Sequence, residues 1–276
     1  MSPDAAGLIA RLATDAANAS DGPVVIGVCG AQGSGKSTAA ALAAATLTAH
    51  DLPTAIVSID DIYLTRADRQ RLAADIHPLL RTRGVPGTHD VALGLEVIDG
   101  LKDGQSVRLP RFDKASDDRR PMRDWPLSPP GCRVILFEGW CVGARPQADA
   151  DLVAPVNALE ASEDTDGRWR RHVNAQLAGE YQALFARRDR LMLLAAPDFA
   201  VVEAWRTQQE RDLRDASGGG GRGGMTDAEI TRFVQHYERL TRHILHDMPR
   251  YADMTAYLDT NRRITDISID RSDLSA

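Results

Sequence analysis

One eight-residue segment constrains the fold of this 276-residue chain more than any other: Gly30 to Ser37 reads GAQGSGKS. A run rich in β-branched residues precedes it, and an alanine-rich segment with helical character follows it. The spacing G-x-x-x-x-G-K-[ST] between a strand and a helix is that of a phosphate-binding P-loop. Glycines allow successive backbone N–H groups to turn toward phosphate oxygens, and the helix N-terminus adds its positive end. The segment therefore predicts a nucleotide site on an α/β fold.

The residue types of this loop predict ATP and Mg²⁺ as cofactors. Lys36 is expected to reach the β- and γ-phosphates, and Ser37 to ligate the metal. A second metal-side carboxylate is expected from Glu138, which follows the apolar run VILF as a Walker-B acid would. The residues expected to contact the nucleotide are Gly30, Ala31, Gln32, Gly33, Ser34, Gly35, Lys36, Ser37 and Thr38.

Short apolar strands alternate with helical segments along the chain, which is typical of a parallel sheet covered on both faces. Strands are predicted at residues 24–30, 54–59, 107–111, 134–137, 191–196 and 254–258, and the main helices at 37–50, 90–101, 168–188, 198–215 and 226–246. Residues 117–131 are predicted to form a loop, and a polar tail follows residue 258. The expected fold is a single α/β domain over residues 1–276: a three-layer P-loop NTPase sandwich with a mostly parallel sheet and a helical lid.

Composition excludes several classes of function. Hydrophobic residues make up 43% of the chain, enough for a full core, and the formal net charge of −6 disfavours nucleic acid and anionic membrane as partners. The three cysteines have no metal-ligand spacing and are expected to be buried free thiols. Without a long apolar run or a basic N-terminal region, we expect a cytoplasmic protein with a small-molecule substrate. Composition leaves the oligomeric state open.

Two adjacent carboxylates, Asp60 and Asp61, follow the second predicted strand. The carboxyl ends of strands form the active-site edge of an open α/β sheet. A kinase needs a carboxylate there to orient the attacking hydroxyl and accept its proton. The alternative is that both residues only cap a following helix.

A closing lid is predicted at residues 205–226. An arginine-bearing helical segment leads there into a nearly continuous run of glycines, and a further helical segment follows. A lid of this kind brings an arginine to the transferring phosphoryl group, and Arg206 and Arg211 are the candidates. The alternative is a solvated helix face with pairs such as Glu210 and Arg214.

The chain resembles D-glycerate 3-kinases of the plant and microbial type, within the P-loop kinase group of uridine kinase, phosphoribulokinase and pantothenate kinase. Six segments carry the resemblance in order: SIDDIYLT (58–65), RGVPGTHD (83–90), LPRFDK (109–114), VILFEGWCVG (134–143), WRTQQE (205–210) and GGMTDAEITRFV (223–234). The first and fourth are shared with the wider group. The chain departs from the family at Ile62, where an aromatic is usual, and in the DDRRPMRD run, so Arg119, Arg120 and Arg123 receive no role.

The resemblance implies phosphorylation of D-glycerate at its 3-position, with Asp60 as the proton-accepting carboxylate and Asp61 at or beside the metal. Catalytic roles are thus expected for Asp60, Lys36 and Arg206. A small anionic acceptor needs buried cations or N–H donors. The candidates in the acceptor-side segments are Tyr63, Arg83, His89, Arg111 and Lys114, with Arg111 best placed beside an apolar strand.

Three alternatives remain open. The acceptor could instead be a nucleoside or a pantothenate-like molecule, although a nucleoside site needs aromatic stacking surface and aromatics are only 5% of the chain. The chain could also be an ATP-binding regulatory protein without kinase turnover. That reading leaves Asp60, the basic acceptor segments and the lid without a purpose. A nucleic-acid ATPase is disfavoured by the net charge and by the lack of a basic, aromatic stripe.

Overall fold

The computed structural model describes residues 4–216 and 226–270. The strands are β1 (Val24–Gly30), β2 (Thr54–Ser58), β3 (Phe112–Asp113), β4 (Asp118–Arg119), β5 (Val134–Gly139), β6 (Arg190–Ala195), β7 (Met254–Leu258) and β8 (Ile264–Ile269). The α-helices are α1 (Ala5–Asn18), α2 (Lys36–Ala49), α3 (Arg66–Asp75), α4 (Val91–Lys102), α5 (Ala158–Glu163), α6 (Arg168–Ala178), α7 (Glu180–Phe185), α8 (Phe199–Ala216) and α9 (Asp227–Asp247). Short 3₁₀ turns span Ile59–Ile62, Pro78–Arg81, Met122–Asp124, Asp149–Leu152 and Met248–Arg250.

A six-stranded sheet with the order β2–β5–β1–β6–β7–β8 forms the centre of the molecule. Its first five strands are parallel, and β8 pairs antiparallel with β7 at one edge. In the register, Glu138 of β5 lies between Val28 of β1 and Ser58 of β2. The segments that follow β1, β5 and β2 therefore meet at the same edge of the sheet, which is where ligands bind in open α/β sheets.

Helices cover both faces of the sheet, because the side chains of each strand alternate between two cores. Val25 and Cys29 of β1 face a core with α4, α6 and α7, whereas Ile26 and Val28 face a core with α1, α2 and the start of α8. Helix α9 contributes to both cores, Ile230 to the second and Tyr237 among others to the first. The predicted three-layer α/β class with a mostly parallel sheet is confirmed.

Three sequence-based element predictions are wrong. The helix predicted over residues 168–188 is two helices, because Gly179 leaves helical geometry with φ −92° and ψ −117°. Residues 107–111 form no strand beyond a single bridge between Arg108 and Leu127. Strand β4, which pairs with β3 in a short hairpin, lies inside the region 117–131 predicted as loop. The polar tail contains β8, an edge strand whose polar residues are exposed.

Two further predictions concern cysteines and the lid. Cys29, Cys132 and Cys141 are all buried free thiols, as expected. The predicted lid over residues 205–226 begins within α8 and ends directly before α9. Its tip, residues 217–225, lies outside the described residues. The side chains of Glu210 and Arg214, the alternative helix-face pair, lie outside them as well.

Candidate active site

The P-loop joins β1 to α2 through a tight turn. Gly33 and Gly35 have φ values of 75° and 85°, in the left-handed region that glycine adopts without strain. A Cβ atom on Gly30 would lie 2.8 Å from Ser34 Oγ, and one on Gly33 would lie 2.6 Å from Cβ of Trp205. By contrast, a Cβ atom on Gly35 would have no atom of the described residues within 4 Å, apart from those of Gly35 and its chain neighbours. The loop is therefore closely packed at its start and open where α2 begins with Lys36.

A hydrogen bond joins the P-loop to the end of β5. Ser37 Oγ donates to Glu138 Oε1 at 2.9 Å, and the Glu138 residue is only 4% exposed. The other carboxylate oxygen of Glu138, Oε2, is buried and has no hydrogen-bond partner in the described part of the chain. Two side-chain oxygens of the P-loop, Gln32 Oε1 and Ser34 Oγ, are likewise buried without a partner there. Buried polar atoms normally have a partner, so these oxygens mark space for a ligand. One hydroxyl and one carboxylate suit Mg²⁺, which takes its remaining ligands from water and phosphate.

Asp60 follows β2 in the 3₁₀ turn Ile59–Ile62, which is capped by Ser58 Oγ rather than by either aspartate. Tyr63 Oη donates to Asp60 Oδ1 at 2.7 Å, and Lys114 Nζ donates to Oδ2 at 2.7 Å. Burial alone would raise the pKa of Asp60, but the charges of Lys114 and Lys36 and these two hydrogen bonds lower it well below its ordinary value. The structure thus places an ionised carboxylate within the field of the P-loop lysine.

Asp61 points into a different set of contacts. Its Oδ1 accepts from the backbone N–H of Phe112 at 3.0 Å, and its Oδ2 lies 3.4 Å from Arg111 Nη1. Burial and the nearby charge of Asp60 raise the pKa of Asp61, although Phe112 and Arg111 oppose the shift. Both oxygens of Asp61 are engaged with the acceptor-side segment, and its contacts do not include Ser37 or Glu138. Its role at the metal stays a prediction.

Arg83 forms an ion pair with Asp117 and lies over the ring of Phe112 at 5.7 Å. Asp117 also pairs with Arg69 at 2.9 Å, and the Arg69 side chain is almost fully buried. Arg83 therefore has its carboxylate partner inside the protein. Its backbone carbonyl, rather than its guanidinium, makes a contact to the lid side of the site, which is described below.

His89 lies in a buried aromatic group beside Asp60. Its ring stacks on Tyr63 with centroids 4.7 Å apart, and Tyr63 meets Phe112 edge-on at 5.2 Å. His89 Nδ1 and Tyr181 Oη are 2.6 Å apart, and His89 Nε2 is buried without a partner among the described residues. Burial lowers the pKa of His89 to about 3, which the charge of Asp60 only partly offsets. The imidazole is therefore neutral at physiological pH and acts as a hydrogen-bonding group rather than a cation.

The candidate lid arginines lie on α8. Arg206 Nη1 donates to Gln209 at 3.0 Å, and its guanidinium lies over the ring of Phe233 on α9 at 5.6 Å. Arg211 Nη2 lies 3.3 Å from an oxygen of Asp227, so it also bridges the two helices. These contacts join the two arms of the predicted lid.

Sequence reasoning missed Tyr237, which lies on α9. Its hydroxyl donates to the carbonyl oxygen of Arg83 at 2.9 Å, and the side chain of the P-loop residue Gln32 lies beside it. Gly84 has φ 133°, and a Cβ there would lie 1.9 Å from Tyr237 Oη. Tyr237 thus links the P-loop, the 83–90 segment and the lid side. The only signal in the sequence was the glycine at position 84, which gives no indication of its partner.

Two arginines outside the predicted site hold its loops. Arg262, in the turn between β7 and β8, donates from Nε to the carbonyl oxygen of Gly33 at 2.5 Å and lies over the ring of Trp205 at 5.1 Å. Arg119, which had received no role, donates from Nη2 to the carbonyl oxygen of Tyr63 at 2.9 Å and to Asp90 at 3.0 Å. Neither contact follows from residue spacing, because each depends on how distant loops meet.

No helix within residues 4–216 and 226–270 is long and apolar enough to cross a membrane. The same residues contain no group of three or more histidine, cysteine, aspartate or glutamate residues arranged to hold a metal ion.

Comparisons with known proteins agree with this geometry. Residues 25–144 match the Phosphoribulokinase / Uridine kinase family. An uncharacterized kinase of Schizosaccharomyces pombe is 34% identical over 226 residues, which cover 78% of this chain and 78% of that protein. The chloroplastic D-glycerate 3-kinase of Arabidopsis thaliana is 32% identical over 226 residues, which cover 78% of this chain but 46% of that protein.

The fold is shared with a solved structure of D-glycerate 3-kinase from Cryptococcus neoformans. The two superpose with a TM-score of 0.80 at 24% identity, over 97% of this chain and 100% of that one. The P-loop, the carboxylate at the end of β5 and the match in sequence over most of the chain all point the same way. The chain therefore belongs to the phosphoribulokinase and uridine kinase family of P-loop kinases, and it is a phosphotransferase of the group that includes the D-glycerate 3-kinases.

Proposed function

We propose that the chain transfers the γ-phosphoryl group of ATP to the 3-hydroxyl group of D-glycerate. The observation that carries the proposal is the position of Asp60, an ionised carboxylate held by Tyr63 and Lys114 within the field of Lys36. The choice of acceptor is supported by the 32% identity to the Arabidopsis D-glycerate 3-kinase.

The donor side is assigned to the P-loop. Backbone N–H groups from Gly30 to Thr38 bind the phosphates, and Lys36 contacts the β- and γ-phosphate oxygens. Ser37 and Glu138, already 2.9 Å apart, hold the metal. When Mg²⁺ is bound there, it would neutralise negative charge on the phosphate oxygens.

The chemical step assigned to the chain is a proton transfer. The acceptor hydroxyl oxygen forms a bond to the γ-phosphorus while the bond from that phosphorus to the β–γ bridging oxygen breaks. The hydroxyl proton passes to Asp60, whose low pKa keeps it ionised and ready to orient the hydroxyl. Because the transition state of phosphoryl transfer is loose, orientation contributes more than basicity. Tyr63 and Lys114 fix the carboxylate by binding one oxygen each.

The acceptor carboxylate needs a cation, and every candidate on the acceptor side already faces an acid. Lys114 faces Asp60 at 2.7 Å, and Arg83 is paired with Asp117. Arg111 has the longest contact with an acid, 3.4 Å to Asp61, its Nη1 also donates to the carbonyl oxygen of Pro110 at 2.7 Å, and its side chain is 35% exposed. We therefore assign the acceptor carboxylate to Arg111, with Arg83 and Lys114 shaping the charge around it.

The lid completes the proposal. The part of α8 from residue 205 onward, which is the described part of the predicted lid, is assigned to close over bound substrates, with Arg206 stabilising the charge on the transferring phosphoryl group. The contact between Arg206 and Phe233 of α9 supports joint movement of the two helices.

A nucleoside acceptor is a weaker candidate. A base would need an exposed aromatic face on which to stack. Tyr63 and Phe112 are 3% and 8% exposed, and their rings contact each other and His89. The aromatic residues beside Asp60 are therefore part of the core that supports the loop. No contact in the site favours a pantothenate-like acceptor over glycerate.

The proposal is tested by ADP release from the purified protein with Mg²⁺–ATP and single acceptors. D-glycerate is expected to stimulate ADP release well above the rate without an acceptor, whereas uridine, pantothenate and L-glycerate give little stimulation. Stimulation by uridine or pantothenate alone would assign a different acceptor. A rate that no acceptor changes would instead favour a regulatory ATP-binding role.

A further inference from the structure

The hydrogen bonds around His89 determine which of its ring nitrogens carries the proton. The hydroxyl oxygen of Tyr181 accepts from the backbone N–H of Gly87 at 2.9 Å. The buried hydroxyl also has a proton of its own to donate, and His89 Nδ1, 2.6 Å away, is the one acceptor that the described residues offer it, so this proton is donated to Nδ1. With Nδ1 as an acceptor in a neutral ring, the proton of the imidazole lies on Nε2.

This Nε2–H group is a buried donor without a partner. The His89 residue is 4% exposed, and no atom of the described residues accepts from Nε2. Leaving such a donor unsatisfied destabilises a protein, so it persists where a ligand supplies the missing acceptor. Since Nε2 and Nδ1 point away from each other on the ring, Nε2 points away from Tyr181.

The surroundings of the ring place this donor on the acceptor side of the site. His89 stacks on Tyr63, whose hydroxyl is bound to Asp60, and the charge of Asp60 acts on the imidazole. His172, His236 and His243 also have unpartnered Nε2 atoms. Among the described residues, however, the charged groups that act on those three rings do not include Asp60.

We propose that Nε2–H of His89, fixed as a donor by Tyr181, donates a hydrogen bond to an oxygen of the bound hydroxy acid. The proposal rests on the proposed function, because it takes D-glycerate as the acceptor molecule. It adds a neutral donor to the cation assigned above, so that the acceptor is recognised by one charged and one uncharged group. A neutral, directional donor selects the position of an oxygen, whereas Arg111 selects its charge.

Two substitutions separate this role from a purely structural one. His89→Asn retains an acceptor near the position of Nδ1 and can keep the bond from Tyr181, but it has no group at the position of Nε2. His89→Gln places an amide N–H near the position of Nε2 but loses the bond from Tyr181. The same change at the exposed residue that directly follows α2, His50→Asn, is the matched control.

The expected result is a rise in KM for D-glycerate of about 3- to 12-fold in His89→Asn, the loss of one neutral hydrogen bond, with KM for ATP unchanged. His89→Gln is expected to stay closer to wild type in that KM. The reverse order, with His89→Gln impaired and His89→Asn normal, would show that only the bond to Tyr181 matters and would overturn the proposal. Thermal unfolding of both variants identifies any loss of folded protein.

A second measurement does not depend on turnover. Long-range ¹H–¹⁵N NMR spectra of histidine-labelled protein distinguish the Nε2–H from the Nδ1–H form, and the signals of His89 are those missing from His89→Asn. The Nε2–H form is expected, with a shift of that proton when D-glycerate is added in the presence of ADP. An Nδ1–H form would overturn the proposal even if D-glycerate is the substrate. If D-glycerate is not a substrate, the ADP-release panel shows that failure separately, and the same variants are measured with the acceptor it identifies.

Discussion

Asp60→Asn isolates the proton-accepting capacity of this residue from its shape. The two oxygens of Asp60 have different partners, the Tyr63 hydroxyl and the Lys114 ammonium, each at 2.7 Å. An ammonium can only donate, so the amide oxygen of the asparagine must face Lys114, and its NH₂ group must face Tyr63, whose hydroxyl oxygen can accept. The side chain thus keeps both contacts and its position. What it loses is the negative charge and the ability to take a proton.

The loss of a positioned general base lowers kcat by about 10²- to 10⁴-fold, and we expect Asp60→Asn to fall in this range with KM for ATP changed little. The assay is steady-state ADP release with D-glycerate over a range of Mg²⁺ concentrations. Asp61→Asn is the matched control. It keeps the bond from the Phe112 N–H and loses a partly exposed ion pair with Arg111, which contributes only about 0–1 kcal/mol. We expect it to alter stability or Mg²⁺ dependence and to retain turnover. Near-normal kcat in Asp60→Asn, or loss of turnover only in Asp61→Asn, would refute the assignment of the base.

Three further predictions concern the cations of the site. Lys36→Ala is expected to lower kcat by at least about 10²-fold, because one donor to the transferring group is lost. Differential scanning fluorimetry without nucleotide should show an unchanged Tm. A collapsed Tm with persisting activity would contradict this role of Lys36. Arg111→Ala is expected to raise KM for D-glycerate by about 10-fold or more, with little effect on KM for ATP, because a carboxylate loses a charge-assisted partner; equal effects on both substrates would argue against this role. Arg262→Ala is expected to raise KM for ATP by about 3- to 10-fold, because the carbonyl oxygen of Gly33 loses a charge-assisted hydrogen bond. The variant of its exposed neighbour, Arg263→Ala, is expected to leave KM for ATP unchanged. A similar change of KM in both variants would show that the bond to Gly33 does not matter.

The parts of the fold that the sequence predicted are those specified by local chemistry. The P-loop was recognisable because phosphate binding requires glycine, lysine and serine at fixed spacing, and the buried strands because parallel strands are continuous apolar runs. The break at Gly179 was missed because a single glycine is tolerated in many helices. Strand β8 was missed because an exposed edge strand carries polar residues and has no apolar run to reveal it.

The residues of the site also divide into those that the local sequence predicted and those that only tertiary packing brings together. The position of Asp60 followed from its place directly after a strand, and Glu138 from its place at the end of another. Tyr237 and Arg262 could not be predicted, because each acts through a contact with a segment far away in sequence, Tyr237 with residue 84 and Arg262 with residue 33. The network that binds Asp61 to the 111–112 segment also depends on tertiary packing, so the sequence did not reveal it, and the metal role expected of Asp61 came from the family resemblance.

The central claim is that the 3-hydroxyl group of D-glycerate receives the phosphoryl group. The most direct measurement is NMR of the products formed from uniformly ¹³C-labelled D-glycerate and Mg²⁺–ATP, with Lys36→Ala protein as the blank. We predict one phosphomonoester whose ³¹P nucleus is coupled to the methylene carbon that carries the 3-hydroxyl group, formed in equal amount to ADP. A phosphomonoester at the 2-hydroxyl group, or release of inorganic phosphate with unchanged glycerate, would contradict the account.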